Sequence, residues 1–206
     1  MRNIVIAVIG CALLAIPVVA QTPLEPGGAD TWTIDSNHSS ANFAVKHMLV
    51  STVRGKLGKV TGNIGWDGKN VASIQADVTI DVAGLDTGVE NRDNDLRSDN
   101  FFNAATYPSV LFKSKKVIPG PDGQFKLVGD LTIRGTTKEV TLEVEGPSPP
   151  QKTGNRLRTG ASATTTINRR EFGLLYNKLL ETGAAVVGDE VKITIDLEAT
   201  RGIAAS

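Results

Sequence analysis

Side chains able to perform nucleophilic chemistry lie near the start of the chain. The sequence has two histidines, His38 and His47, and His38 precedes Ser39 and Ser40 directly. A serine nucleophile needs a general base, most often histidine, within hydrogen-bonding distance. Neighbouring residues of a strand point to opposite faces, and no G-x-S-x-G turn is present. We therefore expect no catalytic residues, so that each histidine is either hydrogen-bonded in a structural role or in contact with a ligand.

Metal-binding patterns are also missing from the sequence. The histidines are too far apart for a helical pair, and Cys11 is the sole cysteine, so a zinc ligand set is incomplete. The acidic run 93–95 with Asp99 resembles part of a calcium loop, but its central glycine is missing and Arg97 replaces an oxygen ligand. We expect neither a metal nor a cofactor.

Residues 91–112 combine positive charge with aromatic side chains, because Arg92 and Arg97 flank the pair Phe101 and Phe102. Two roles fit these arginines. They either clamp a phosphate or carboxylate head group at the mouth of a container, or they pair with nearby aspartates and fix the segment. The aspartates in reach are Asp93, Asp95 and Asp99.

The same stretch is predicted to form a short helical plug between strands. Asp93 and Asn94 are residue types that cap helices, and Tyr107-Pro108 returns the chain to an extended pattern. We expect this plug to close or line one end of a β structure, where Phe101 and Phe102 either contact a lipid or pack in the core.

Apolar and polar residues alternate with a period of two over most of the chain, which predicts about eight strands. Residues 53–66 are interpreted as a glycine-broken strand pair. Such strands form a sandwich or a barrel, and their even, meandering spacing favours a closed antiparallel barrel. The inward-facing residues predicted to contact a ligand are Phe43, Val45, His47, Ile74, Ala76, Val78, Ile80 and Phe112.

The size of the inward side chains decides whether such a barrel is hollow. Small residues recur at candidate inward positions, namely Ala41, Ala76, Ala161, Ala163 and Thr165. A hollow apolar lumen and a filled one both fit this pattern. Residues 74–82 span roughly 30 Å at ~3.3 Å per residue, so a hollow lumen suits a long, thin ligand.

Composition limits the compartment and the partners. Residues 1–20 form a secretory signal pattern with a cleavage site after Ala20, which predicts export and periplasmic localisation, and residues 21–30 form a flexible leader. The apolar core of the signal is too short to anchor the chain in a bilayer. With 22 Lys plus Arg and 22 Asp plus Glu, the chain lacks the basic excess that nucleic-acid binding requires.

Several sequence motifs, in the same order along the chain, resemble those of the YceI-like family of bacterial periplasmic lipid-binding proteins. The motifs are WTIDSNHS at 32–39, FAVKH at 43–47, RDNDLRSDNFF at 92–102, YP at 107–108, GDLTIRGTTK at 129–138, INRREFG at 167–173 and VGDEV at 187–191. The resemblance covers about residues 31–200, and we take residues 31–201 as one domain before a tail at 202–206. This chain has Asp95 where the family commonly has histidine.

The resemblance implies an all-β fold, an extended eight-stranded antiparallel barrel of lipocalin-like form with a short helical segment between strands. It also implies a polyisoprenoid, isoprenoid quinone or fatty-acid derivative in the lumen, and no catalytic residues. We therefore expect an exported lipid carrier, store or scavenger. The alternatives are a stress-response interaction protein with a packed barrel and an enzyme acting on lipid head groups near His38 or His47. Monomer and homodimer both remain open.

Overall fold

The computed structural model describes residues 24, 30–180, 183 and 185–203. The predicted signal peptide, most of the predicted leader and the last three residues of the tail lie outside these residues. Among the described residues, no helix has the length and apolar character needed to cross a bilayer.

Ten strands and one α-helix form the described part of the chain. Short 3₁₀ turns cover Val71–Ser73, Val82–Gly84 and Arg169–Phe172, and the helix α1 covers Glu90–Arg97. The strands are β1 Thr31–Ile34, β2 Ser40–His47, β3 Ser51–Gly65, β4 Gln75–Asp81, β5 Ser109–Pro119, β6 Gln124–Ile133, β7 Thr136–Glu145, β8 Gln151–Thr153, β9 Arg156–Asn168 and β10 Val187–Gly202.

The strands close into an antiparallel barrel. From β2 to β7 each strand pairs with the next in the sequence, β7 then pairs with β9, and β9 with β10. β10 returns to β2 and completes the ring. Closure gives every barrel strand two neighbours and removes the unpaired edges of an open sheet. This confirms the predicted fold class.

Ten strands fill eight positions because two positions are shared. β1 and β2 both lie between β3 and β10, at different heights, with a break at residues 35–39. β7 and β8 likewise both pair with β9, with a break at residues 146–150. The two short strands β1 and β8 therefore extend the barrel at the end remote from α1.

The prediction of a strand pair over residues 53–66 is wrong, because β3 is one continuous strand. Its glycines permit a bend instead of a break. Gly58 has φ of 138° at a register shift against β2, and a Cβ there would lie 1.8 Å from the carbonyl oxygen of Asp81. Only glycine fits a backbone this close to its neighbour.

The predicted start of the helix is also wrong, because α1 begins at Glu90, before both predicted capping residues. Asp93 lies inside the helix and is buried, and its carboxylate accepts hydrogen bonds from the backbone N–H and hydroxyl of Thr87. Asn94 accepts from the guanidinium of Arg97. The Asp93 side chain thus ties the helix to the preceding loop, the Asn94 side chain bonds within the helix, and the N-terminus has no side-chain cap.

Candidate ligand-binding cavity

The barrel is hollow. A cavity of about 190 Å³ lies inside it, and its lining includes residues of every strand except β8. Four of the small residues noted in the sequence line this space, namely Ala76, Ala161, Ala163 and Thr165. The fifth, Ala41, is buried but does not line the cavity. Short side chains on β9 leave the space that larger ones would fill. Of the two alternatives from the sequence, the hollow lumen is the one observed.

The two tryptophans lie at the end of the cavity remote from α1. The Trp32 and Trp66 rings lie 5.5 Å apart between centroids, and the Trp32 indole N–H donates to the carbonyl of Trp66 at 2.9 Å. The guanidinium of Arg201 lies 4.7 Å from the Trp32 ring. No pattern in the sequence indicated that Trp32 and Trp66, more than thirty positions apart, would be in contact.

The segment from α1 to Phe102 lines the opposite end. Leu96, Phe101 and Phe102 face the cavity, and Phe101 packs on Tyr176 with ring centroids 5.0 Å apart. The guanidinium of Arg134, in the β6–β7 hairpin, donates to the carbonyl of Phe101 at 2.7 Å. The plug thus lines one end of the barrel, as the sequence predicts, and is fixed by neighbouring connections.

Arg169 holds the connection between β9 and β10 over the same end of the barrel. Its side chain is buried and donates to the carbonyls of Leu174, Tyr176, Val187 and Gly188 and to the carboxylate of Asp189. Burial lowers the pKa of this guanidinium from its ordinary value. This role of Arg169 was not among those predicted from the sequence, although the residue lies within one of the motifs that resemble the family.

Most of the cavity wall is apolar. Several polar residues along it form their hydrogen bonds with groups outside the lumen. The Thr159 hydroxyl donates to the carbonyl of Ser148, and the Ser162 hydroxyl donates to the outer-face carboxylate of Asp196. The indole N–H of Trp66 differs, since it is buried without a hydrogen-bond partner among the described residues. This nitrogen exposes almost no surface to the lumen, so an acceptor in the cavity reaches it only if the tryptophan rings shift.

Most residues predicted to contact a ligand line the cavity. These are Phe43, Val45, Ile74, Ala76, Val78, Ile80, Phe101, Phe102 and Phe112. The alternation in the sequence therefore placed the inner face correctly, and their contact with a ligand stays a prediction.

The two predicted head-group arginines do not line the cavity. Arg92 donates to the hydroxyl and carbonyl of Thr87 at 2.7 and 3.0 Å, and Arg97 donates to the carbonyl of Leu85 at 2.6 Å. Both side chains hold α1 against the preceding loop. These contacts fit the second role considered from the sequence, with partners other than the aspartates, and contact with a head group stays a prediction.

His38 lies outside the cavity, in a polar cluster on the outer face. Its Nδ1 donates to Asp35 at 3.0 Å, and this hydrogen bond, followed by one from the backbone of Asn37, lowers the pKa of Asp35 to about 2. The hydroxyl of Ser39 bonds to the backbone of Glu198. No hydrogen bond between the side chains of His38 and Ser39 occurs in this part of the structure, so the two do not form a nucleophile and base.

Asp35, His38 and Glu198 place potential ligand atoms within 4.8 Å of one another. The guanidinium of Arg158, however, donates to both carboxylates, at 3.2 Å to Asp35. An arginine therefore supplies the positive charge that a metal ion would bring to this cluster.

Two further residues lie away from the lumen. His47 shares the inward parity of Phe43 and Val45, but it is the last residue of β2 and lies beyond the cavity lining. Asp95, at the position where the family commonly has histidine, accepts a hydrogen bond from the Asn100 amide at 2.8 Å and does not line the cavity.

A closed antiparallel barrel with an apolar internal cavity defines a container of the lipocalin-like class. Residues 32–199 match the YceI-like domain, and the chain belongs to that family. A UPF0312 protein of Staphylococcus aureus is 36% identical over 169 residues, which cover 81% of this chain and 95% of that protein.

Solved structures share the fold. BcnA of Burkholderia cenocepacia has a TM-score of 0.68 and 26% identity, and the alignment covers 80% of this chain and 98% of BcnA. A polyisoprenoid binding domain from Saccharophagus degradans has a TM-score of 0.60 at 18% identity over 84% of this chain and 98% of that domain, which is a likeness of fold.

Proposed function

We propose that this protein binds one long-chain apolar lipid, a polyisoprenoid, isoprenoid quinone or fatty-acid derivative, along the barrel axis. The observation that carries the proposal is the cavity, whose apolar lining runs from the paired tryptophans to the helical plug. Burial contributes ~25 cal/mol per Å² of apolar surface, so the chain of the ligand supplies most of the affinity.

The unpartnered N–H of Trp66 suggests where a polar atom of the ligand lies. An unpaired buried donor costs about 1–3 kcal/mol, and a carbonyl or hydroxyl oxygen of the ligand would remove that cost. Arg92 and Arg97, by contrast, are engaged with backbone and side-chain oxygens. In this proposal the acceptor atom of the cargo lies at the tryptophan end.

The signal pattern at residues 1–20 supports a cellular setting for this activity. We propose that the chain is exported, cleaved after Ala20, and acts in the periplasm as a carrier, store or scavenger of its lipid. The determination of the N-terminal residue of protein isolated from the periplasmic fraction tests the export step.

Native mass spectrometry of the protein purified from an exporting cell, followed by organic extraction and lipid identification, tests the binding function. A stoichiometric long-chain lipid with an oxygen acceptor is expected. Trp66→Phe should then weaken retention of that lipid more than retention of a hydrocarbon of equal length. A mass without ligand from gently handled protein, and no uptake of any of these lipids by delipidated protein, would contradict the proposal.

A further inference from the structure

The turn between β2 and β3 exposes large apolar side chains. Leu49 is 74% exposed and Val50 is 87% exposed, and Met48 precedes them at 40%. Met48 and Leu49 have φ values of 53° and 60°, the left-handed region that hairpin turns usually fill with Asn and Gly. Bulky residues are unfavourable in this conformation, so their presence at the tip indicates a role for the side chains.

A neighbouring connection enlarges this apolar tip. The N–H of Met48 donates to the carbonyl of Val186 at 2.7 Å, and the N–H of Val186 donates to the carbonyl of Lys178 at 2.9 Å. Leu179, the next residue, is 72% exposed. Both segments lie at the end of the barrel that carries α1, so the apolar surface borders the plug end of the cavity.

Basic side chains surround the base of the same hairpin on the outer face. In the register of the sheet, Ala44 lies between Arg54 and Lys192, and Lys46 and Lys56 lie two positions away on that face. These four cations are exposed, and none forms a salt bridge within the described residues.

The single acidic residue that lines the groove beside these cations is Asp86. Its carboxylate accepts the N–H of Gly88 at 2.7 Å. The groove is therefore basic, with a net excess of positive charge next to an apolar tip.

We propose that the β2–β3 hairpin docks on an anionic phospholipid surface. The aliphatic tip enters the bilayer interface, and the cations contact lipid phosphates. At ~3.3 Å per residue, Lys46 lies about 7 Å and Arg54 about 13 Å along the strands from the tip. Their long side chains shorten these separations, which brings the charges within the Debye length of ~10 Å from the lipid phosphates. A protein partner would use the apolar tip without requiring this cationic base.

Docking by this hairpin turns the plug end of the barrel toward the membrane. If the proposed function holds, this orientation lets the lipid pass between bilayer and cavity without crossing water. The docking itself concerns the outer surface, so its outcome is independent of whether the lumen holds a ligand.

Vesicle flotation tests the docking, with vesicles of phosphatidylcholine alone or mixed with phosphatidylglycerol. We expect binding to the mixed vesicles and weakening of it as salt rises from about 0.05 to about 0.5 M. Leu49→Asn with Val50→Ser should reduce the partition coefficient at least roughly tenfold, because the tip loses its apolar surface. Lys46→Gln, Arg54→Gln and Lys192→Gln together should reduce it roughly a hundredfold, at about fivefold per charge.

Matched controls carry the same kind of change elsewhere on the barrel. Ile118→Ser removes an aliphatic side chain that is 44% exposed near the opposite end, and Lys113→Gln, Lys116→Gln and Lys138→Gln remove three exposed lysines from β5 and β7. Both controls should float like the unchanged protein. Circular dichroism of every variant verifies that it is folded.

Three results would overturn the docking proposal. The first is no binding to phosphatidylglycerol vesicles at low salt. The second is a tip variant that floats as well as the unchanged protein. The third is a tip variant that alters only the oligomeric state in sedimentation, which would assign the apolar tip to contact between two copies of the chain.

Discussion

A single large side chain in the lumen should abolish lipid binding without unfolding the protein. Ala163 lines the cavity from β9, opposite Ile195 on β10 and Val144 on β7. At ~24 cal/mol per Å³, an empty cavity of about 190 Å³ costs on the order of 4–5 kcal/mol. A phenyl ring fills on the order of 100 Å³, roughly half of it, and recovers up to about 2 kcal/mol.

Strain in the surrounding side chains offsets part of this gain, because overpacking costs about 1–3 kcal/mol. The free energy of unfolding of delipidated Ala163→Phe should therefore lie within about 1–2 kcal/mol of the unchanged protein, as measured by urea titration. Its lipid content after purification, measured by native mass spectrometry, should fall at least tenfold. This corresponds to a loss of about 1.4 kcal/mol or more of binding free energy.

Thr164→Phe is the matched control, because Thr164 is the next residue of β9 and does not line the cavity. It should retain its lipid. Ala163→Leu provides a smaller filling if the phenylalanine variant does not fold. A folded Ala163→Phe protein with a full lipid load would refute the assignment of the cavity as the ligand site.

Three further predictions concern the scaffold. Arg169→Ala should lower the free energy of unfolding by about 3–5 kcal/mol, since five buried or partly buried acceptors lose their donor, whereas the exposed Arg170→Ala should change it by less than ~0.5 kcal/mol. Gly58→Ala should cost on the order of 3 kcal/mol or more through its clash with β4, and Gly202→Ala, which meets no atom within 4 Å, should be neutral. Because the folded pKa of Asp35 is depressed to about 2, its stabilising contribution is present above about pH 4 and is lost as the pH falls toward 2.

Urea unfolding measures all three. Equal losses for Arg169→Ala and Arg170→Ala would show that burial does not set the strength of this network. A stable Gly58→Ala protein would contradict the close approach of β3 to β4. For the third, the stability difference between the unchanged protein and Asp35→Asn should vanish between about pH 4 and pH 2, and a difference that instead grew on acidification would contradict the assigned pKa shift.

Alternation in the sequence predicted the inner face of the barrel well. Ile74, just before β4, and every second residue of β4 up to Ile80 line the cavity as their period of two requires, since the pleat of a strand fixes which side chains share a face. The same rule failed for His47, because the alternation does not show where the strand ends or how far the cavity extends along it.

Local sequence signals also failed where backbone geometry decides. Glycines in β3 suggested a turn, but Gly58 permits a bend where Asp81 of β4 approaches the backbone. The sequence does not show this approach, so the prediction failed. Asp93 has the chemistry of a helix cap, yet its partner Thr87 fixes it inside α1. The contact of Trp32 with Trp66 and the burial of Arg169 depend on tertiary pairing that periodicity does not encode.

The last strand of the barrel determines when the chain can finish folding. β10, at residues 187–202, pairs with β9, which precedes it closely, and with β1 and β2 at the start of the domain. Before these last residues are synthesised, β2 and β9 have unpaired edges, and such edges are aggregation sites. At ~5–20 residues per second, the domain remains open for roughly ten seconds or more of synthesis, and both edges stay exposed throughout that period.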